Sequence, residues 1–446
     1  MAKIVKTAKL KITSHTSIFD ETIEKYRDAV CYLMEVILAE KDSVLHCEEK
    51  NGEIKVVETL IHATKHREDV PYDFDEKFYK FPSYLRRSAI MEAAGAVRSH
   101  LSNTENWKQA KAQAKEDGKP FYKKEPGWQP ESKGFPTFYK DGNWKPVAEG
   151  ISQIKIFKDD DWKWIVVNYN TKNLFSSGKS RFDGMKQKSP SLVKNGKKYF
   201  LVFPYIGSSK LSKKADIVVG VDLGLTNSAV CSTLKEDGTV VDRLFINQST
   251  EKDRLRKARN KLKKAWRNSG DNEKPNLLRK QRNLQKFVVQ DTVNQIVSFA
   301  VRSKADVIVM EHLGGLKARK GSGNKFLRNA LHHWGKMEIQ KLVEQKAHSL
   351  GIRISRVSAN GTSKYAFDGS GAVKRSTRKD LCEFSTGKQY HSDLSASYNI
   401  AARFFLRNIL NPLDESERLI VEAKVPLLSA RSTHTLATLI RLREVV

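Results

Sequence analysis

Apolar and polar positions follow two different periods along the chain, and the pattern changes character near residue 215. Residues 3 to 14 alternate, with Ile4, Val5, Leu10 and Ile12 apolar, as in a strand with one buried face. From Phe19 to about Leu38, the residues Ile23, Tyr26, Val30, Leu33, Val36 and Ile37 recur at spacings of three and four, which predicts a helix. Ile90, Ala93, Ala94 and Val97 predict a second helix between Tyr84 and about Leu101. Between 116 and 215 the pattern shortens to strands in TFYKDGNWKPV, QIKIFKDDDWKWIVVNY and KKYFLVFPYI, with Asp-Gly and Asn-Gly dipeptides marking tight turns. The expected organisation is a first strand in 1–14, an inserted helical block in 15–115 and a small β-domain in 116–215.

Beyond 215 the apolar runs are longer. Val218, Val219 and Val221 form a buried strand ending on Asp222, followed by a Gly-bearing turn. AVCSTL and TVVDRLFIN, joined by KEDG, add two more strands in a meander. A helix with Val289, Val293, Ile296, Val297 and Ala300 facing inward precedes ADVIVMEHLGG, in which Val307 to Met310 form a second all-apolar strand ending on Glu311. Two strands of one sheet then present two acids at one edge, where open α/β sheets place their ligands. The first strand and turn suit either a carboxylate that holds a metal or a cradle for the phosphates of ATP.

A third acid, Asp393, opens the apolar-periodic helix of HSDLSASYNIAARFFLRNIL. Taken alone it reads as a helix cap. With Asp222 and Glu311 it completes a set of hard oxygen donors suited to Mg²⁺, since two such ions about 3.5–4 Å apart need shared carboxylates to clamp both sides of a phosphodiester.

Charge narrows the partners. The 446 residues include 80 Lys plus Arg against 51 Asp plus Glu, a formal charge of +29, which favours a polyanion: nucleic acid first, with an anionic membrane surface as the plainer rival. No run of about 18 apolar residues occurs and MAKIVKTAKLKITS lacks an apolar signal core, so a soluble, cytoplasmic protein with no membrane partner is expected. Cys31, Cys47, Cys231 and Cys382 show no CxxC spacing and are expected to be ordinary thiols. Residues 251–286 carry fourteen Lys or Arg against four acids, split by a turn at Ser269 to Pro275. The thin seam of Leu255, Ala258, Leu262 and Ala265 predicts a helix packed on one side, with a cationic face for phosphates. Arg254, Lys257, Lys261, Lys264, Arg267, Arg279, Arg282 and Lys286 are the expected nucleic-acid contacts. Ten aromatics between Phe121 and Trp164, interleaved with lysines, suit base stacking, although about half are expected to form the core of the β-domain.

GVDLGLTNSAV, VIVMEHLGG and HSDLSASYNIAA, in that order, resemble the three segments of the RuvC-like nuclease domain of TnpB proteins and the related compact type V CRISPR effectors. Residues 328–364 resemble the family's tryptophan-bearing helix (Trp334), a following strand and a Thr-Ser pair (Thr362, Ser363). The resemblance implies a mixed α/β chain: an RNase H-like RuvC domain over 216–408, preceded by a β-barrel wedge domain that a helical recognition domain interrupts. Residues 409–446 would be an extension of unassigned role. It implies an RNA-guided DNA endonuclease associated with a transposon or CRISPR system. Its partners would be a guide RNA and target double-stranded DNA with a short flanking motif, and Asp222, Glu311 and Asp393 would hold two Mg²⁺ ions (or Mn²⁺).

The family usually carries a zinc ribbon where this chain has about 362–390. Here Ala366 and Gly369 stand where ligands would fall, and only Cys382 and Ser385 remain of the second half, so no structural zinc is expected and packing or mobility is expected instead. Three alternatives stand beside this reading. GVDLGLTNS also resembles the first phosphate loop of actin and chaperone ATPases, but FDGSGAV (367–373) follows no buried strand. A TnpB-like repressor or targeting protein would bind without cutting. A junction resolvase or DDE-type transposase would act without RNA.

Overall fold

The chain forms two units, residues 1–4 with 208–446 and residues 5–207. The structure, a computed structural model, describes residues 2–14, 18–47, 49, 51–176, 178–269, 274–313, 335–375, 380–428, 430 and 433–445.

In the unit of residues 5–207, strand β1 (Ala2–Lys11) is followed by helices α1 (Asp20–Ala39), α2 (Lys41–Leu45), α3 (Gly52–Ile61), α4 (Phe74–Lys77) and α5 (Ser83–Glu116). The expected face of α1, with Ile23, Tyr26, Val30, Leu33 and Ile37 buried, packs on Leu85, Ala89, Ile90, Ala93, Ala94 and Val97 of α5. The alanines let the two helices approach closely. After Val97 no residue of α5 is buried, yet the helix continues to Glu116 because Ala, Lys, Gln and Glu sustain it without packing. The segment that follows, counted with the β-domain in the sequence, instead runs back along α5 without regular structure. Trp107 Nε1 donates to the Lys123 carbonyl (2.9 Å), the rings of His100 and Trp128 lie 4.8 Å apart, and Ser132 Oγ donates to Glu92 (2.7 Å).

The strands come next: β2 (Trp144–Ala148), β3 (Ile151–Lys158), β4 (Asp161–Asn168), β5 (Phe175–Ser176), β6 (Lys179–Ser180), β7 (Lys186–Gln187), β8 (Ser191–Asn195) and β9 (Lys198–Ser209). They form antiparallel sheets ordered β1-β9-β7 with β8 on β9, β2-β3-β4, and β5-β6. The stretch QIKIFKDDDWKWIVVNY is a hairpin, turned at Asp159 and Asp160, whose φ values of 51° and 55° match the primed turns that suit twisted strands.

The second unit is built on a five-stranded sheet of β10 (Ile217–Asp222), β11 (Ala229–Lys235), β12 (Val240–Ile246), β13 (Val307–Glu311) and β14 (Arg353–Val357), in the order β12-β11-β10-β13-β14. The β10–β11 and β11–β12 pairs are antiparallel, whereas β10–β13 and β13–β14 are parallel. Helices α6 (Ser249–Ser269) and α7 (Pro275–Arg302) join β12 to β13, and α8 (Lys336–His348) precedes β14. A small sheet of β15 (Lys374–Arg375), β16 (Leu381–Glu383) and β17 (Gln389–His391) leads into α9 (Ser392–Leu410), α10 (Glu415–Lys424) and α11 (Leu436–Val445).

Alternation along the strands divides the core into two layers. Val218, Val230, Leu234, Val307 and Val309 meet Ile400, Ala401, Phe404 and Phe405 of α9 and Leu439 of α11. Val219, Val221, Cys231, Ile308 and Met310 meet Val293, Ile296 and Val297 of α7 and Ile339 and Val343 of α8. The buried strands are apolar on both faces because helices cover both. The sequence-based strands after 215, the inward face of α7 and the start of α9 all fall on these elements; Trp334 lies outside the described residues. Among the described residues no helix is long and apolar enough to cross a membrane.

Candidate functional site

Asp222 and Glu311 are the last residues of β10 and β13, and the period of two fixes their direction. Val218 and Val307 face α9, so Gly220, Asp222, Val309 and Glu311 face it too. The parallel register pairs Val221 with Met310, and one further step brings Asp222 alongside Glu311. α9 crosses this face closely because position 220 has no side chain. A Cβ there would stand 2.3 Å from the Ser397 carbonyl oxygen and 2.8 Å from Ala401 Cβ. The first turn of α9, with Asp393, therefore lies over the strand ends.

The surroundings hold each acid. Asn227 Nδ2, from the turn after β10, donates to Asp393 Oδ2 (3.2 Å). The Thr362 hydroxyl donates to Glu311 Oε1, and Gln340 Nε2 of α8 donates to the Glu311 backbone carbonyl (2.7 Å). All three acids keep a solvent-facing edge above an apolar base. Burial, and then the negative charges of Glu311 and Asp393, push the Asp222 carboxyl well above the ordinary carboxylate range, with Arg375 opposing. Burial also pushes Glu311 up, opposed by the Thr362 hydrogen bond and by Arg403.

Mutually destabilised hard-oxygen donors are the chemistry a divalent cation relieves, so the donor set fits Mg²⁺ or Mn²⁺. Among the described residues no three acidic, His or Cys side chains form a preassembled ligand cluster, although the charges of Glu311 and Asp393 reach Asp222.

The eight named basic residues are all exposed, Arg254, Lys257, Lys261, Lys264 and Arg267 on α6 and Arg279, Arg282 and Lys286 on α7. The two helices pack side by side, with Leu255 and Leu262 buried in the seam. Lys252 behaves differently. Its ammonium turns inward to donate to the carbonyls of Leu225 and Thr226 (3.2 and 2.6 Å), and burial pulls its pKa down to about 8. Of the aromatics, Phe138, Trp144, Phe157 and Trp162 are buried, whereas Tyr122 is 82% and Trp164 38% exposed.

The described part of 362–390 is held by packing. Ala366, Cys382 and Phe384 are buried together, and Cys382 Sγ donates to the Tyr390 carbonyl (3.4 Å). The rings of Phe367 and Tyr398 lie 5.1 Å apart, which ties this insert to α9.

Sequence reasoning gave no role to Asn227, Gln340, Lys252, Asn399 or Arg403. A signal existed for the last two: Asn399 and Arg403 are large polar residues four apart that border and interrupt the apolar run from Ile400 to Leu406, and both are buried.

A protein-family profile described as the Aq_aa04 family matches residues 6–158. No curated protein matches the chain. Among solved structures, the chain is similar to the Cas12f1–sgRNA–target DNA complex, with 14% identity, 89% of this chain and 99% of that one covered, and a TM-score of 0.35. It is also similar to the mini-RNA-guided endonuclease CRISPR-Cas_phi3, with 12% identity, 90% and 92% covered, and a TM-score of 0.49. CasPhi-2 (Cas12j) bound to crRNA is a third, with 10% identity, 90% and 98% covered, and a TM-score of 0.47.

Proposed function

We propose that the protein is an RNA-guided DNA endonuclease whose phosphodiester chemistry takes place at Asp222, Glu311 and Asp393. The observation that carries this reading is the pair of desolvated, mutually repelling carboxylates on adjacent parallel strand ends beneath the start of α9. In this reading the three acids hold Mg²⁺, with Mn²⁺ as a substitute, which when bound in a pair would polarise the scissile phosphate and activate water. Thr362 and Gln340 fix Glu311, Asn227 fixes Asp393, and the exposed cations of α6 and α7 offset phosphate charge along guide RNA and target duplex. The β-sheets of residues 5–207 would serve as the wedge β-barrel, α1 to α5 as the recognition domain, and together they would read the short flanking motif.

A second reading is guide-dependent DNA binding without cleavage, in which the same exposed cations of α6 and α7 hold nucleic acid and the acids stay idle. One experiment separates the two. The protein is purified with its RNA, the RNA is sequenced, and the complex is tested with Mg²⁺ on a matching duplex beside Asp222→Ala. Guided cutting abolished in the variant supports the nuclease. Tight guided binding with no cutting supports the second reading, and a heterogeneous RNA smear with no guided activity overturns both.

A further inference from the structure

The extension after residue 409 makes a specific connection to the site. Thr435 and Thr438 start α11 with reciprocal bonds: Thr438 Oγ1 accepts from Thr435 N–H (3.2 Å) and Thr435 Oγ1 accepts from Thr438 N–H (3.4 Å). The next N–H, that of Leu436, donates instead to Asn399 Oδ1 on α9 (3.1 Å). The amide of Asn399 then spends both its hydrogens on one loop, donating Nδ2 to the carbonyls of Thr362 (3.0 Å) and Tyr365 (2.9 Å).

One turn further along α9, Arg403 repeats the arrangement. Its Nε donates to the His434 carbonyl (3.1 Å), and its Nη1 donates to the carbonyls of Ser358 (2.7 Å) and Asn360 (2.8 Å). The Ala437 N–H adds a direct bond to the Phe367 carbonyl (2.9 Å). Two buried polar side chains thus span from residues 434–436 on one side to residues 358–365 on the other. The residue delivered at the middle of that loop is Thr362, whose hydroxyl meets Glu311.

We infer that the segment around residues 434–438, acting through Asn399 and Arg403, positions Thr362 and thereby sets the orientation in which Glu311 receives a divalent cation. The inference rests on the carboxylate reading above. Asn399, Arg403 and Thr362 are positioning residues. An apolar core needs no polar pair here, and a buried Asn with every hydrogen bond satisfied fixes one geometry and disfavours its neighbours. Partners of this outer kind commonly change metal affinity by about 10–100-fold when removed.

The test uses the full-length protein and Mn²⁺ as probe, with bound ion counted by electron paramagnetic resonance and guided cleavage measured alongside. Thr362→Val, Asn399→Asp and Arg403→Lys are expected to weaken Mn²⁺ binding about tenfold or more and to lower kcat, with KM for target DNA unchanged. Thr362→Val is expected to melt with the parent protein. The link to the segment is tested by Leu436→Pro against Leu436→Ala. Both lose the side chain, but only proline removes the N–H given to Asn399, at a first helical position where proline is tolerated. The proline variant is expected to bind Mn²⁺ more weakly than the alanine variant. Parental Mn²⁺ affinity and kcat in Thr362→Val and Asn399→Asp would overturn the inference, and equal affinity in the two Leu436 variants would overturn the part assigned to residues 434–438. Should Asp222→Ala leave Mn²⁺ binding by the parent protein unaltered, the carboxylate reading itself fails.

Discussion

Replacing Gly220 by alanine adds one methyl group where α9 passes closest over β10. The new Cβ would lie 2.3 Å from Ser397 O, 2.8 Å from Ala401 Cβ and 2.9 Å from Ala401 N. Two of these three atoms are backbone of α9, so no rotamer change relieves them. Bringing the oxygen to an ordinary separation requires α9 to retreat from β10 by about 1 Å, and overpacking of this kind costs about 1–3 kcal/mol. The upper end applies here because the helix is buried on nearly every side. For a unit of this size about 3 kcal/mol lowers the melting temperature by roughly 6–12 °C. The same retreat carries Asp393 away from Asp222, so divalent-ion binding should weaken at temperatures where the variant is still folded. Thermal unfolding by circular dichroism and Mn²⁺ titration at about 20 °C together measure both effects. A variant that melts with the parent protein and binds Mn²⁺ equally well would refute the close-approach argument.

Other expectations follow from the same geometry. Asp222 and Glu311 are raised in the folded state, so the folded chain binds more protons than the unfolded one above the ordinary carboxylate range. Metal-free stability should therefore fall as pH rises from about 4 through the raised values. Asp222→Asn should flatten that slope and melt above the parent at about pH 8 but not near pH 4, and a parallel pH profile would count against the repulsion. Changing exposed Lys257, Lys261 and Lys264 to alanine should weaken RNA binding across sequences and reduce the slope of log affinity on log salt by about 2, while leaving the melting temperature unchanged. Gly95 is exposed in α5, and a Cβ added there would meet nothing within 4 Å, so alanine should stabilise the protein by about 0.5–1 kcal/mol, measured by urea unfolding.

The sequence was informative where burial imposed a period. Val218 to Val221 and Val307 to Met310 could only be covered strands, and an acid ending each had to share an edge with the other once the strands were neighbours. α1 showed its face for the same reason. α5 was read only to Leu101 because its last fifteen residues bury nothing and so carry no period, although their composition is helical. Residues 118–136 were counted with the β-domain whose first named strand pattern begins at Thr137, whereas Trp107 and His100 fasten that segment to a helix. The strand ends that carry two of the proposed acids were legible, and Thr362 was singled out only through the family's Thr-Ser pair, not for its contact with Glu311. Asn227, Gln340 and Thr362 act through single hydrogen bonds across 166, 29 and 51 residues of chain, and no local pattern encodes such distances.

The order of the acids along the chain has a consequence in time. Glu311 comes 89 residues after Asp222, and Asp393 a further 82, so the carboxylate set closes only when distant segments meet. Contacts of such separation form late, after local helices and hairpins. During synthesis the cationic pair α6 and α7 is complete by Arg302, before the ribosome has made either Glu311 or Asp393. On the proposed reading, a growing chain would carry its surface for RNA before it has the full carboxylate set for cutting. Assembly order alone would then withhold the proposed chemistry until the polyanion-binding surface exists, a safeguard that needs no inhibitor.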